Sequence, residues 1–191
     1  YYDGTEWFSV GGGVGAGCVH SIAVDHEFLY IGGSFRKAGN VSAHHLARWD
    51  SRQWRALGNF NGDVHGVAVL GPDLFVAGEF TEVDGLFVDY IVRYGHASGA
   101  WQKLTGGGAN AGVSSVAVVN NCVYFVGSFT ALRNAAGEED KTAQHAARYC
   151  PQPRVQGKML EGMLTNSTTG PIRSVVASSI VGMASVEALA R

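Results

Sequence analysis

The chain has 191 residues, of which 46% are apolar, 16% are charged and 27 are glycine. The apolar content is too high for a disordered chain, and the net charge of -2 leaves no basic face for nucleic acid or anionic lipid. No run of eighteen apolar residues occurs, so the sequence predicts no membrane span and no membrane contact. Abundant glycine and aromatic residues with few charges are typical of short strands joined by tight turns.

One pattern of four short apolar runs recurs three times along the chain, and its tryptophans are 47 residues apart. Each run is rich in β-branched and aromatic residues and is bounded by Gly, Asn or Asp, which indicates strands. The first runs are Val19–Val24, Val64–Val69 and Val113–Val118; the second are Leu29–Phe35, Leu74–Phe80 and Val123–Phe129; the third are Leu46–Trp49, Ile91–Tyr94 and Ala146–Tyr149; the fourth begin at Trp7, Trp54 and Trp101.

Four strands in each repeat of about 45–50 residues are the signature of a β-propeller blade. The first run is apolar at nearly every position, as expected for an inner strand between two neighbouring sheets. The glycine that ends each second run predicts a bend or a close backbone approach, and the phenylalanine and tryptophan predict packing between sheets. These structural repeat residues are Gly33, Gly78 and Gly127, Phe35, Phe80 and Phe129, and Trp7, Trp54 and Trp101.

The fold class predicted from the sequence is therefore all-β, with about three complete four-stranded antiparallel blades and parts of others. We divide the chain into the end of a preceding blade (1–17), three blades (18–62, 63–111 and 112–157), and a diverged blade or tail (158–191). In the tail, Ile172–Ala177 could be another first strand, and Ser185–Arg191 could be a short helix or a diverged strand. Because a closed propeller has four to eight blades, we expect a longer chain or a partner to complete the ring.

The segment Tyr30–Phe35, followed by Ala47–Asp50 and then Trp54, resembles kelch-type repeats of the galactose-oxidase-like propeller superfamily. The resemblance extends over about residues 1 to 150. It is nearest to the divergent repeats of fungal cortical cell-polarity marker proteins and of secreted bacterial surface proteins. It implies a fold rather than a function, because propellers include both enzymes and binding modules.

The three cysteines are Cys18, Cys122 and Cys150. Cys122 begins the second strand of its repeat and Cys150 follows the third, and adjacent antiparallel strands bring these two positions together. We therefore predict a Cys122–Cys150 disulfide, with two buried free thiols as the alternative. Cys18 would then remain for a partner outside this segment.

Two glycosylation sequons occur, at Asn40 and Asn166, and Asn40 falls in a predicted exposed loop. Together with the disulfide, they favour an extracellular or cell-surface location.

No convincing metal or catalytic site emerges, and we assign no cofactor. His45 and His145 share a repeat position with Tyr90, which suggests a structural position that accepts polar aromatic residues. His20 and His65 share a first-strand position and could line a channel, where the third copy has Ser114. No zinc-type spacing, nucleophile elbow or phosphate-binding loop occurs, and no copper ligand of galactose oxidase can be placed here.

The third repeat carries six additional residues between its second and third strands. Insertions in repeat folds map to loops and often to binding faces. We predict an interaction loop that could bind Ca²⁺ weakly or contact a basic partner, with a solvated charged turn as the alternative. Its charged residues are Glu138, Glu139, Asp140 and Lys141.

From the sequence we expect a non-enzymatic structural or protein-interaction platform within a larger extracellular or cell-surface protein. Its partners would be other protein chains or the remainder of its own longer chain. Two alternatives stay open: a secreted oxidase or glycan-active enzyme with catalytic residues outside this segment, and an intracellular kelch-type adaptor.

Overall fold

The computed structural model describes residues 1–134 and 136–151 and the backbone of Val186–Ala188. These residues form an all-β structure of twenty strands without a helix. In chain order the strands are β1 (Val14–Gly15), β2 (Val19–Val24), β3 (Leu29–Gly33), β4 (Lys37–Ala38), β5 (Val41–Ser42), β6 (Leu46–Trp49), β7 (Trp54–Ala56), β8 (Val64–Leu70), β9 (Asp73–Gly78), β10 (Glu82–Val83), β11 (Leu86–Phe87), β12 (Ile91–Gly95), β13 (Ala100–Gln102), β14 (Gly108–Ala109), β15 (Val113–Val119), β16 (Cys122–Gly127), β17 (Leu132–Arg133), β18 (Glu139–Asp140), β19 (Ala146–Tyr149) and β20 (Val186–Ala188).

Three four-stranded antiparallel sheets contain the predicted repeats. The first large sheet has the order β2-β3-β6-β7, the second β8-β9-β12-β13 and the third β15-β16-β19-β20. In each sheet, strands that follow one another in the chain are neighbours, apart from the short strands inserted between the second and third. The fourth strand of the third sheet is β20, so the tail position that could have been a helix or a strand is a strand at Val186–Ala188. Apart from Val186–Ala188, the positions of the 158–191 range lie outside the described residues. They include Asn166 and Ile172–Ala177.

Each first strand has the same irregularity in its pairing with the second strand. The register shifts between Val19 and Ser21 in β2, and the same shift recurs in β8 and β15. A shift of this kind is a β-bulge, which leaves one residue unpaired and sharpens the local twist of the strand. The unpaired residues are His20, His65 and Ser114.

Small sheets lie between the second and third strands of each repeat. A hairpin leaves the large sheet there, and the segment that leads into the first strand pairs with it, as a strand in the first and third repeats and as a single bridge in the second. The resulting groups are β1-β4-β5, β10-β11 and β14-β17-β18, and Phe60 pairs with Val83 beside the second hairpin. The turn of the β10-β11 hairpin is Asp84–Gly85, where both residues have positive φ, as the tightest hairpin turns require.

The large sheets pack face to face, chiefly through their first strands β2, β8 and β15. The second sheet is covered on both faces, by the first sheet on one side and by the third on the other. The core between the first and second sheets includes Tyr30, Leu46, Val67, Leu74, Val76 and Val92. The core between the second and third sheets includes Phe75, Ala77, Ile91, Val123, Phe125 and Tyr149.

The described strands make no closed ring. The outer faces of the first and third sheets are not covered by another large sheet of the described chain. A search of the described residues finds no helix long and apolar enough to cross a membrane.

Candidate functional site

The glycines at the ends of the second strands lie where two backbone segments meet. A Cβ on Gly33 would overlap the carbonyl oxygen of Cys18, and Gly78 has the same relation to the carbonyl of Asp63. Gly127 repeats it with Gly112. Each of these carbonyls accepts a hydrogen bond from the residue after the glycine, as from Ser34 N at 2.9 Å. The glycines therefore hold the entry to the first strand against the exit from the second.

The three repeat phenylalanines are fully buried beneath the hairpins. Phe35, Phe80 and Phe129 are each 0% exposed. The ring of Phe80 packs edge-on against Phe60, with the centroids 4.7 Å apart. These side chains join the hairpin of each repeat to its large sheet.

The repeat tryptophans differ in their surroundings. Trp54 is buried and its indole Nε1 donates to the carbonyl of Val10 at 3.1 Å, while Trp101 is half-buried. Trp7 is 81% exposed and contacts the ring of Tyr2 in a short N-terminal bridge outside the large sheets. The expectation that Trp7 packs between sheets is therefore not met within the described residues.

Cys122 and Cys150 form the predicted disulfide, which ties the beginning of β16 to the residue after β19. These strands are neighbours in the third sheet, so the covalent link runs across a pair that is already hydrogen-bonded. Cys18 is a free and exposed thiol.

One backbone conformation recurs just before the third strand of each large sheet. His45, Tyr90 and His145 have φ of 71°, 62° and 64°, in the left-handed region that non-glycine residues seldom adopt. In each case the carbonyl accepts a hydrogen bond from the repeat glycine, Gly33 N, Gly78 N or Gly127 N. The shared position of two histidines and a tyrosine thus reflects a repeated backbone turn.

His45 is 3% exposed and has a polar environment on one side of its ring. Its Nδ1 lies 3.2 Å from the carbonyl oxygen of Gly33 and 3.2 Å from the carboxylate of Asp63. Both neighbours are acceptors, so Nδ1 carries the proton. Its Nε2 is buried without a hydrogen bond to any described residue. Burial lowers the pKa of His45 below 6.5, although the Gly33 carbonyl and the Asp63 carboxylate act in the opposite direction.

His20 and His65 lie together at the bulges of neighbouring first strands. Their rings stack with centroids 5.3 Å apart and an interplanar angle of 12°. Ser114 occupies the equivalent bulge of the third sheet. Within the described residues, no group of three or more His, Cys, Asp or Glu side chains is placed to hold a metal ion.

A polar cluster that the sequence did not predict crosses from the first large sheet to the second. The Tyr30 hydroxyl, on the fully buried β3 residue, donates to Asp25 Oδ2 at 2.8 Å and lies 3.1 Å from His96 Nε2. The other carboxylate oxygen of Asp25 accepts from the backbone N–H groups of Glu27 and Phe28, both at 2.7 Å. Since the Tyr30 proton goes to Asp25, His96 must donate from Nε2 to the tyrosine oxygen.

The electrostatics of this cluster fix its protonation. Burial alone would raise the pKa of Asp25, but the hydrogen bonds from Glu27, Tyr30 and Phe28 hold it below its usual value. Burial makes the largest contribution to raising the pKa of Tyr30, and the Asp25 carboxylate raises it further. The tyrosine therefore remains a protonated donor, which suits it to positioning and not to proton abstraction.

A surface cavity of about 220 Å³ opens above this cluster. The rings of Phe28 and His96 stand nearly parallel, with centroids 6.4 Å apart, and the Arg48 guanidinium lies 4.6 Å from the Phe28 centroid. Arg48 thus occupies one face of the aromatic ring. The cavity is lined by Asp25, His26, Glu27, Phe28, Gly71, Pro72 and His96.

The hairpins carry the predicted surface residues. Asn40 is exposed in the two-residue turn between β4 and β5. Three of the six additional residues of the third repeat enlarge the turn between β17 and β18, which has five residues against two in the other hairpins. All four predicted interaction residues there are exposed: Glu138, Glu139, Asp140 and Lys141.

Several of these charges already have partners. Glu138 accepts from Asn134 Nδ2 at 2.9 Å, and Glu139 lies 3.6 Å from Arg133. Asp140 accepts from the hydroxyl and backbone N–H of Thr142, and these bonds lower its pKa. The loop is consequently a hydrogen-bonded turn whose carboxylates are directed to neighbours rather than converging on one point.

The bases of the second and third hairpins are held by the same side-chain anchor. Asn61 Oδ1 accepts from the backbone N–H of Thr81 and of Glu82, at 2.9 and 3.0 Å. Asn110 makes the same pair of bonds to Thr130 and Ala131, at 3.0 and 3.1 Å. A shared anchor thus supports hairpins whose tips differ in length and charge.

Comparison of the sequence with protein-family models and with curated proteins gave no match.

Proposed function

We propose that the chain is a non-enzymatic interaction or assembly platform, built from β-propeller blades and belonging to a larger extracellular or cell-surface protein. The proposal includes the assignment of the three repeats as kelch-like. Each large sheet would be one blade, with β2, β8 and β15 as inner strands. The hairpins between second and third strands would be the contact surface.

The observation that carries the proposal is the combination of constant hairpin bases with variable tips. The bases are fixed by close-packed glycines, fully buried phenylalanines and the Asn61 and Asn110 anchors. The tips are Gly39–Asn40, Asp84–Gly85 and the five-residue turn from Asn134 to Glu138. Rigid sheets that position dissimilar loops are the usual architecture of binding proteins.

The second hairpin supports the same conclusion with an apolar residue. Phe87 is 71% exposed on β11, next to the polar Asp84–Gly85 turn. An exposed aromatic side chain on a rigid hairpin can contribute a large contact area at low entropic cost.

The disulfide and the exposed sequon support an extracellular or cell-surface location. Disulfides persist in oxidising compartments, and Asn40 is accessible at a turn. The Asp25–Tyr30–His96 cluster joins two sheets and has its hydroxyl held protonated, which favours a structural role for it over a catalytic one.

The location is tested by glycopeptide mapping of the native protein. We expect a glycan on Asn40, its loss in both Asn40→Gln and Ser42→Ala, and its retention in the control Val41→Ala. A native protein with an unmodified Asn40 and reduced Cys122 and Cys150 would contradict the extracellular assignment.

The platform role is tested by replacing one hairpin tip at a time with a Gly-Ser turn in the cell-surface protein. We expect normal secretion and melting temperature, with loss of a specific cross-link to a neighbouring protein for at least one tip. If all three variants keep every cross-link, the hairpins are not the contact surface.

A further inference from the structure

The β2 part of the outer face of the first large sheet is apolar and exposed, whereas Ile31 and Ala47 on the same face are buried with Val10 and Val14. Ile22 and Val24 of β2 are 63% and 64% exposed. The residue equivalent to Ile22 in the second sheet is Val67, which is 4% exposed because the first sheet covers it. The first sheet therefore exposes the kind of face that the second and third sheets bury.

The third large sheet also has an exposed outer face. This face corresponds to the one by which the first and second sheets pack against the sheet that follows them in the chain. Val119 and Val126 are 51% and 44% exposed, and Ser115 and Ala117 are exposed as well. In the second sheet the residues equivalent to Ala117 and Val126 are Ala68 and Ala77, which are 8% and 0% exposed beneath the third sheet. The third sheet thus exposes the kind of face that the first and second sheets bury.

The two internal interfaces show how such faces fit together. A Cβ on Gly32 would contact the Val67 side chain at 3.2 Å, and one on Gly66 would contact Val116 at 2.8 Å. The hydroxyl of Ser21 accepts a hydrogen bond from the backbone N–H of Val67 at 3.0 Å. Ser115 is equivalent to Ser21 and Gly66, and Ile22 is equivalent to Val67 and Val116.

On the exposed face of the third sheet, one pair of neighbouring residues on β16 and β19 has about the same combined size as the equivalent pairs in the other two sheets. Gly32 pairs with Leu46 in the first sheet, Ala77 with Ile91 in the second, and Val126 with Ala146 in the third. Val126 on β16 is larger than Gly32 and Ala77. Its neighbour Ala146 is smaller than Leu46 and Ile91. A face that met only water would not require this constant volume, whereas a packed interface does.

We propose that a second copy of this chain covers both faces, with the Ile22 face of each copy packed against the Val126 face of the other. This inference rests on the proposed propeller arrangement. Both complementary faces are present on one chain, so two copies satisfy each other without another component. Two such head-to-tail contacts would close a ring of six sheets, within the four to eight of known propellers.

The internal interfaces predict the contacts of this dimer. Val126 of one copy packs against Val19 and Ile22 of the other, as Gly32 faces Val64 and Val67 within the chain. The Ser115 hydroxyl accepts the backbone N–H of Ile22 from the other copy, as Ser21 accepts that of Val67. Apolar faces buried at both contacts are typical of a stable dimer.

The test is the mass of the 191-residue chain by sedimentation velocity and light scattering. We expect twice the chain mass of 20.2 kDa for the unmodified chain and for the control Arg52→Asp, whose exposed side chain lies in the turn between β6 and β7. Ile22→Asp and Val126→Asp should each halve the mass. Mixing these two variants should restore a dimer, because one intact contact remains between them.

A second measurement covers the possibility that an aspartate impairs folding. In a Cys18→Ser background, Ile22→Cys and Ser115→Cys are placed in separate chains and oxidised together. We expect an intermolecular disulfide, which the control pair Arg52→Cys and Ser115→Cys should not form.

A monomeric unmodified chain without the cross-link would overturn the proposal and indicate that other sheets cover these faces. A dimer that neither aspartate variant disrupts, or that mixing does not restore, would overturn it in favour of a different interface. Neither result bears on the glycan at Asn40 or on the hairpin cross-links, so failure of this inference is distinguishable from failure of the proposed function.

Discussion

The Tyr30 hydroxyl and the His96 ring are 3.1 Å apart, although 66 residues separate them in the chain. Tyr30 belongs to the first large sheet, while His96 directly follows the third strand of the second. Their hydrogen bond, together with that from Tyr30 to Asp25, is a polar contact within a mainly apolar interface that also contains the Ser21–Val67 hydrogen bond. It joins two repeats that are also held together by side-chain packing, by the Ser21–Val67 hydrogen bond and by the contact between His45 and Asp63.

Removing this hydroxyl should destabilise the fold. We expect Tyr30→Phe to lower the free energy of unfolding by about 1–3 kcal/mol, because it leaves a carboxylate oxygen and an imidazole N–H without their partner. Urea denaturation followed by tryptophan fluorescence measures this. The matched control is Tyr124→Phe at the equivalent position of the third sheet, whose hydroxyl makes no hydrogen bond to a described residue. Equal losses in the two variants would contradict a specific role for the cluster.

The buried His45 ring should make stability depend on pH. Its pKa in the folded protein is lowered from 6.5 by burial, so below about pH 6.5 the unfolded chain binds the proton more tightly. Stability should therefore fall as the pH drops from 6.5 toward the folded pKa, and should not change above 6.5 on this account.

The difference between the unmodified chain and His45→Asn isolates this contribution, since asparagine tolerates the left-handed backbone. We expect denaturation midpoints from pH 7.5 to 5 to fall less steeply in the variant. His145→Asn shows whether the equivalent histidine carries the dependence instead. Parallel pH profiles for the unmodified chain and His45→Asn would contradict the assignment to His45.

The sequence predicted the all-β class and the strand positions because those depend on short-range patterns. Apolar runs bounded by glycine marked strands such as β8 and β9, and the adjacency of second and third strands placed Cys122 beside Cys150. The two-residue strands of the hairpins are too short to show a periodicity. The fourth strand β20 begins at Val186, more than thirty residues after β19, in a segment without the repeat tryptophan.

The Asp25–Tyr30–His96 cluster could not be predicted for a different reason. The second repeat has Phe75 at the position of Tyr30, so the repeat pattern classed the position as simply aromatic. The partner of the hydroxyl depends on how two sheets pack, which the spacing within one repeat does not determine. Asp25, directly after an apolar run and five residues before a tyrosine, was the available signal.

The Cys122–Cys150 disulfide should contribute substantially to the stability of the third sheet. It closes a loop with a sequence separation of 28, for which the chain-entropy account gives about 3–4 kcal/mol. We expect Cys122→Ser with Cys150→Ser to lower the free energy of unfolding by about that amount, and Cys18→Ser, at an exposed free thiol, to leave it unchanged. Denaturation of all three proteins with and without reductant measures this. A reductant effect that persists in the double variant would mean that the stabilising bond lies elsewhere.

The close approach at the repeat glycines gives the sharpest steric prediction. Gly78 has no positive φ, so alanine is allowed by its backbone, but the added Cβ would overlap the carbonyl oxygen of Asp63. We expect Gly78→Ala to lower the free energy of unfolding by at least about 2 kcal/mol, since the two strands must separate to admit the methyl group. Gly15→Ala is the control, because its Cβ would meet the nearest side chain, that of Lys37, at 3.7 Å and should be neutral or slightly stabilising. Urea denaturation distinguishes the two. A Gly78→Ala protein as stable as Gly15→Ala would show that the entry and exit of the repeat are not held in the tight contact on which the hairpin bases depend.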